Sequence, residues 1–451
     1  MRARQLGRGM LRPQLAVVLG FAALILLGTV ALLLPASSRG GRTDPVTALF
    51  TATSAVCVTG LSVVDTGTYW TPLGQAVLMV LMQLGGLGFV VGATILHLVR
   101  RSTLTFQERA AAQEAGYTVE LGGHRGLVQR AVLLALLAEA AGTVVLWTRF
   151  APRFGMARGL WFATFHSVSA FTNGSFDLFG DSRSVADYRT DPVVLLAIAA
   201  LIVTGGLSLI VVEDIVRARS WRRLALDSKL VLTGTVVLLA AGTLFILLVE
   251  RGNRSSLATL SFPYQLLDSF FHSAAARTAG FSTWDFSHSD ERTLYFLLGL
   301  MFVGGAPGSM AGGIKLTTAG VLLFAVWSTL AGRTEVTAFR RRVGPRQVSQ
   351  ALAVALLSLA LVANVSLAIS LIDADRLRAT PFLHVVFDVT SAFGTVGFST
   401  GVPAHLSAPS RLLLALTMFA GRLGPVTLAL TLTARYRQPR WRLPAESLRI
   451  G

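Results

Sequence analysis

Apolar and polar positions in this chain segregate into blocks. Eight long apolar runs lie near 13–35, 72–99, 126–150, 193–216, 228–250, 293–328, 347–372 and 409–434, and four shorter ones near 46–57, 160–172, 264–277 and 381–393. About 20 apolar residues suffice for a helix to cross a bilayer, whereas a run of about 10–14 reads as a re-entrant or buried segment. The order is long, short, polar turn, long, repeated four times. Non-helical backbone at membrane depth is tolerated only where protein buries it or it lines a water-filled cavity. The four polar turns are therefore expected to surround an aqueous path.

The turns repeat in sequence as well as in position. Ser54-Ala-Val-Cys-Val-Thr-Gly60, Ser169-Ala-Phe-Thr-Asn-Gly-Ser175, Ala274-Ala-Ala-Arg-Thr-Ala-Gly280 and Ser391-Ala-Phe-Gly-Thr-Val-Gly397 align without a gap, and each is followed by a large apolar residue, Leu61, Phe176, Phe281 or Phe398. Four copies imply pseudo-fourfold symmetry about a central axis. The predicted fold is an all-α polytopic membrane protein with eight transmembrane helices and four re-entrant pore helices, in repeats over 13–100, 126–218, 219–330 and 347–436. Termini 1–12 and 437–451 and loops 101–125 and 331–346 complete the chain.

Composition agrees: 53% of the 451 residues are hydrophobic and 14% charged, and the mean hydropathy is +0.62. The net charge of +17 is carried mainly by arginines at the chain ends and between repeats, among them Arg100, Arg101, Arg217, Arg222, Arg340 and Arg437. Basic short loops stay on the cytoplasmic side, so both termini are expected inside and the short helices enter from outside. A pI near 11.4 does not argue for nucleic acid, because the charge is parcelled between spans instead of forming one soluble basic face. Membrane lipid or a cytoplasmic partner is the expected contact of these loops. The single cysteine, Cys57, excludes an internal disulfide framework.

Glycine patches follow each turn: Gly85-Gly86-Leu-Gly88, Gly205-Gly206, Gly304-Gly305-Ala306-Pro307-Gly308-Ser309 running on to Gly312, Gly313 and Lys315, and Gly421-Arg422-Leu-Gly424. The first two suit close helix packing. The third carries so many glycines, with a proline, that it must break its helix in mid-membrane, directly below the turns, and it reads as a gate. It lacks the Gly-Lys-Ser/Thr ending of a nucleotide loop. Arg422 is an intramembrane charge and hence a functional candidate, expected to limit cation flow or to hold the gating segment. His166 and His272 are expected to hydrogen-bond within their short helices. Asp388 and Arg277 either pair or cap backbone, and Glu213 and Asp214 are candidates to draw cations to an inner exit. No nucleophile–base pair, metal-ligand cluster or phosphate cradle supports an enzyme, and no resident cofactor is expected.

Together the turn motifs, the stretch Gly304–Lys315 and the final Gly421-Arg-Leu-Gly-Pro resemble the Trk/Ktr/HKT superfamily of potassium transporters, most closely its bacterial KtrB/TrkH-type membrane subunits, over about residues 13–436. The resemblance implies channel-like potassium uptake, a homodimer with one pore per protomer, and a cytoplasmic ring of RCK-type nucleotide-binding subunits (KtrA/TrkA-like) responding to ATP, ADP or NAD. It also implies a bacterial plasma membrane. Family filter glycines match Gly60, Gly280 and Gly397, with Ser175 at the fourth position, and the filter is expected from Val58, Thr59, Gly60, Asn173, Gly174, Ser175, Thr278, Ala279, Gly280, Thr395, Val396 and Gly397 holding K+. At the second loop the bacterial pattern reads Asn-Asn-Ala-Gly where this chain has Thr172-Asn173-Gly174-Ser175. Serine there is expected to weaken K+ over Na+ discrimination. The alternative is a sodium-permeable or Na+/K+-coupled transporter of the same fold.

Overall fold

A computed structural model describes residues 13–102 and 124–424 of the chain. The loop expected over 101–125 and the end of the eighth apolar run lie mostly outside these residues. Fourteen helices of ten or more residues are described: α1 (Pro13–Leu33), α2 (Pro45–Val56), α3 (Pro72–Ser102), α4 (His124–Phe154), α5 (Met156–Phe171), α6 (Pro192–Gly206), α7 (Leu209–Ala218), α8 (Leu226–Glu250), α9 (Phe262–Ala275), α10 (Glu291–Phe302), α11 (Leu316–Leu330), α12 (Pro345–Ile372), α13 (Phe382–Gly394) and α14 (Ala408–Leu423). A two-stranded hairpin, β1 (Thr337–Ala338) with β2 (Arg341–Arg342), joins α11 to α12.

Local sequence explains where many of these begin. Asp44 caps α2, its carboxylate accepting from Thr47 N at 3.0 Å, with Pro45 at the first helical position. Asp191 caps α6 before Pro192, and Asp290 caps α10. By length and apolarity Gln129–Phe154 within α4, α8 and α12 suffice to cross a membrane, and α6 with α7 forms a fourth such stretch bent by 91°. Outward-facing Leu27, Leu137, Leu248 and Leu371 stay exposed, as a lipid-facing surface requires.

Two long apolar runs are therefore not straight spans. The break expected within the sixth, 293–328, begins at Val303, where glycines and Pro307 end α10. The second was not expected: the run 193–216 bends after Gly206, and Ser208 restarts a helix by accepting from Val211 N at 3.3 Å.

The core surrounds α2, α5, α9 and α13. Phe50, Phe165, Phe271 and Phe387 on these helices are fully buried, as are Leu61, Phe176, Phe281 and Phe398 just past the polar turns. Burying each such side chain contributes roughly 1.5–3 kcal/mol and presses the turn against its helix.

Candidate functional site

Each short helix runs into its turn through a similar hydrogen bond. Thr59 N donates to Ser54 O at 2.8 Å, Gly174 N to Ser169 O at 2.6 Å and Val396 N to Ser391 O at 2.8 Å; the third turn is one residue tighter, with Ala279 N donating to Ala275 O at 2.9 Å. Next come alternating left-handed residues. Val58, Asn173, Thr278 and Thr395 have φ of 56°, 60°, 82° and 48°, and two residues on Gly60, Ser175, Gly280 and Gly397 have 81°, 62°, 22° and 98°. A strand points successive carbonyls to opposite sides, whereas backbone that alternates in hand can bring neighbouring carbonyls to one side, as ion filters built of carbonyl rings require.

The four turns meet. A Cβ on Gly60 would strike Ser175 and Gly174 O, one on Gly397 would strike Thr59 O and Ser175, and one on Gly280 would fall 2.5 Å from Val396 O. Asn173 Nδ2 donates to Thr278 Oγ1 at 2.9 Å across the second and third turns. Ser175 Oγ donates to Val396 O at 2.7 Å, so the second turn engages a backbone carbonyl of the fourth. All twelve residues expected in a filter lie in this cluster or in the turns that form it.

Above it opens a cavity of about 470 Å³ lined by Gly60, Ser175, Gly280 and Gly397 together with Asp65, Asp177, Asp181 and Asp285. Burial, and then the nearby Asp65 carboxylate, raise the Asp177 pKa from the usual carboxylate range to about 7. Asp65 also accepts from Ser182 N at 2.7 Å, joining the loops beyond the first and second turns.

The histidines fulfil their expectation and do more. His166 Nδ1 bonds Phe162 O at 2.7 Å and His272 Nδ1 bonds Asp268 O at 2.9 Å, both within their helices. Each Nε2 then accepts from the backbone N–H three residues past the turn's last position: Leu178 N at 3.3 Å and Thr283 N at 3.2 Å. Asp388 serves the fourth turn likewise, taking Thr400 N at 3.3 Å and Thr400 Oγ1 at 2.7 Å, and its described partners do not include Arg277. Sequence reasoning also missed Asp268, which accepts from Thr283 Oγ1 at 2.6 Å and pairs with Arg189 Nε at 3.1 Å. Phe281 packs on His166 (6.3 Å between ring centroids) and Phe398 on His272 (6.1 Å), so the aromatics after the third and fourth turns lean on the preceding short helix.

Beneath the turns lies the irregular segment Val303–Lys315. Gly304 N donates to Ile314 O at 2.9 Å and Leu316 N to Gly305 O at 3.0 Å, closing it as a loop. Ala306 N and Met310 N donate to Gly206 O at 3.1 Å and Gly205 O at 3.2 Å, the last carbonyls of α6. A Cβ on Gly312 would strike the Thr395 side chain, which places the loop directly under the fourth turn. Gly308 and Gly313 take positive φ, and Pro307 faces outward from the loop. Ser309 Oγ donates to Ala306 O and Lys315 Nζ to Ala311 O, at 2.7 and 2.6 Å. Arg422, fully buried, donates through Nη1 to Met310 O and through Nη2 to Gly85 O at 3.2 Å. All ten residues expected at a gate are thus the loop itself or the arginine that holds it.

Of the two acids expected near an inner exit, Glu213 pairs with Arg130 at 3.2 Å and Asp214 accepts from Ala225 N at 2.8 Å.

The chain as a whole is similar to known proteins. The family model of the TrkH cation transport proteins matches residues 13–441. The Ktr system potassium uptake protein B of Bacillus subtilis is 38% identical over 418 residues, 92% of each chain. The potassium/sodium uptake protein NtpJ of Enterococcus hirae is 35% identical over 447 residues, 98% of each. In fold the chain resembles the potassium transporter TrkH from Vibrio parahaemolyticus, with a TM-score of 0.72 at 17% identity over 95% of this chain and 87% of that one.

Proposed function

Because the chain belongs to the TrkH family of cation transport proteins, which are membrane transporters and not enzymes, we propose that it is the ion-translocating subunit of a potassium uptake system. K+ passes through four turns whose carbonyls form a filter, and the loop Val303–Lys315 gates the path below. The observation that carries this reading is the meeting of Gly60, Ser175, Gly280 and Gly397, each left-handed, beneath an acidic cavity and above a loop held by Arg422. The same reading divides the chain into the four repeats over 13–100, 126–218, 219–330 and 347–436, with eight spans and four re-entrant helices. It places the chain in a bacterial plasma membrane with both termini cytoplasmic.

The names of two relatives, each a component of a Ktr system, support a multi-component assembly. From the resemblance of its motifs we further propose a homodimer regulated by an RCK-type subunit that senses ATP, ADP or NAD. A second reading, Na+ permeation beside K+, is favoured by the Ser175–Val396 hydrogen bond, which occupies a filter carbonyl, and by the potassium/sodium uptake relative. Competition among K+, Rb+ and Na+ for flux into proteoliposomes tests both. K+ and Rb+ are expected to exceed Na+ by a modest factor; equal Na+ flux favours the second reading, and absent flux even with the regulatory subunit added overturns both.

A further inference from the structure

The sharp bend between α6 and α7 has no part in the filter, yet it ties a basic surface to the loop beneath. From the bend and its charges we infer that α7 and the segment after it bind anionic lipid headgroups of the inner leaflet, and that this binding holds the loop Val303–Lys315 in place. The inference rests on the orientation and the gating role proposed above.

The bend of 91° carries α7 away from the direction of α6, as an interfacial helix lies relative to a span. One side of α7 faces the protein: Val211 is buried with Ala306, Leu316 and Val231, Ala218 is buried, and Asp214 accepts from Ala225 N. Glu213, on the opposite face, pairs with Arg130 at the surface and offsets one positive charge there. The rest of the helix surface leaves Ile215 and Val216 exposed beside exposed Arg217 and Arg219. Trp221 follows, 49% exposed, and then Arg222 and Arg223, also exposed. Apolar side chains flanked by arginines and an amphipathic indole fit the boundary between acyl chains and headgroups. A soluble acidic partner matches the arginines but not the exposed aliphatics, so lipid is the better complement.

Neighbouring structure keeps the segment in place. Lys229 Nζ donates to Arg222 O at 3.2 Å. Phe339, at the turn of the β1–β2 hairpin, packs against Trp221 with ring centroids 6.2 Å apart and against Phe324 of α11 at 5.8 Å. The hairpin adds exposed Arg340 and Arg341 on the same side.

The link to the loop is direct. Gly205 O and Gly206 O, the last carbonyls before the bend, accept from Met310 N and Ala306 N. Val211, on the first turn of α7, packs on Ala306. If α7 leaves the membrane surface and realigns with α6, these acceptors move and the loop loses two of its holds. Anionic lipid therefore lowers flux. Its surface potential alone acts oppositely, since a negative membrane concentrates cations at the pore mouth.

The test uses the full chain in vesicles of phosphatidylcholine with or without about one-third phosphatidylglycerol. Brominated phosphatidylglycerol is expected to quench tryptophan fluorescence more than brominated phosphatidylcholine does. Trp221→Phe should reduce that excess, and joint replacement Arg217→Gln, Arg219→Gln, Arg222→Gln and Arg223→Gln should reduce affinity by about fivefold per arginine. Rb+ flux of the parent should fall at least about twofold on adding phosphatidylglycerol, while the fourfold variant should not fall. Lysine at the same four positions should restore both responses, and it supplies the reading if the glutamine variant does not fold. Equal quenching by the two lipids overturns the site and leaves an acidic polypeptide as the occupant. Lipid-specific quenching with unchanged flux overturns the link to the loop. Absent flux in every membrane overturns the transport reading, while the quenching arm still decides the site.

Discussion

Ser175 holds a left-handed backbone, φ 62°, that glycine adopts freely and a residue with a Cβ adopts at a strain of about 1–2 kcal/mol. Its hydroxyl then donates to Val396 O, one of the oxygens of the proposed filter. The two effects separate by substitution. Ser175→Gly removes both strain and hydrogen bond, whereas Ser175→Ala removes only the bond. If the occupied carbonyl weakens selectivity, both variants raise the K+ over Na+ flux ratio, by as much as the freed oxygen favours one ion over the other. A rise with glycine alone assigns the effect to the Cβ, and no change with either sinks the serine hypothesis. The departure at position 175 was legible because three sister motifs end in glycine; its partner was not, because Val396 lies 221 residues away. Asp177, two residues on, gives a pH signature. With a pKa raised to about 7 it is charged above that value and neutral below, so cation entry at low ionic strength should drop as pH falls from 8 to 6. Asp177→Asn should flatten that profile; an unchanged profile would show that this carboxylate does not draw the ions.

At the scale of elements, close approach explains the glycine patches. A Cβ on Gly85, Gly205 or Gly421 would strike the carbonyl of Val56, Phe171 or Phe393, each at the end of a short helix. The packing reading of the first two patches therefore holds, and it extends to the fourth. Gly88, one turn from Gly85, has nothing within 4 Å of its added Cβ. Gly85→Ala should accordingly destabilise by about 1–3 kcal/mol in thermal unfolding, whereas Gly88→Ala should be neutral or slightly stabilising; equal effects would refute the contact. Apolar periodicity fixed the existence of these helices but not the bend after Gly206, since residues 193–212 are almost wholly apolar and either a packed glycine pair or a break satisfies the pattern. Ser208 was the available signal, as a helix cap placed two residues after a glycine pair. The tethers were hidden for a different reason. His166 lies nine residues before Ser175 and His272 eight before Gly280, yet both reach the residue three past the turn. His166→Ala should leave Leu178 N without its acceptor and cost about 1–3 kcal/mol, with selectivity falling alongside stability. Stability lost with selectivity intact would make the histidine a packing residue alone.

Across the whole molecule, two sets of contacts hold two different things. The turns are fixed laterally, by Asn173 to Thr278, Ser175 to Val396, and the aromatics that lean from one short helix to the next. The loop is fixed from other elements: Gly205 and Gly206 of α6 on one side, Arg422 of α14 on another, with Gly85 of α3 sharing the same guanidinium. Arg422 bears a large desolvation cost to sit fully buried, and what it gains is two backbone acceptors on separate elements. Guanidinium geometry permits this bridging, which a single ammonium reproduces poorly. Arg422→Gln should therefore loosen the loop without disturbing the turns. Expected outcomes are a higher basal Rb+ flux and an unchanged Rb+ to Na+ ratio, with Arg422→Lys intermediate in flux. A fall in flux would mean that the arginine organises the conducting path instead of restraining the loop, and a changed ion ratio would mean that loop and filter are one mechanical unit.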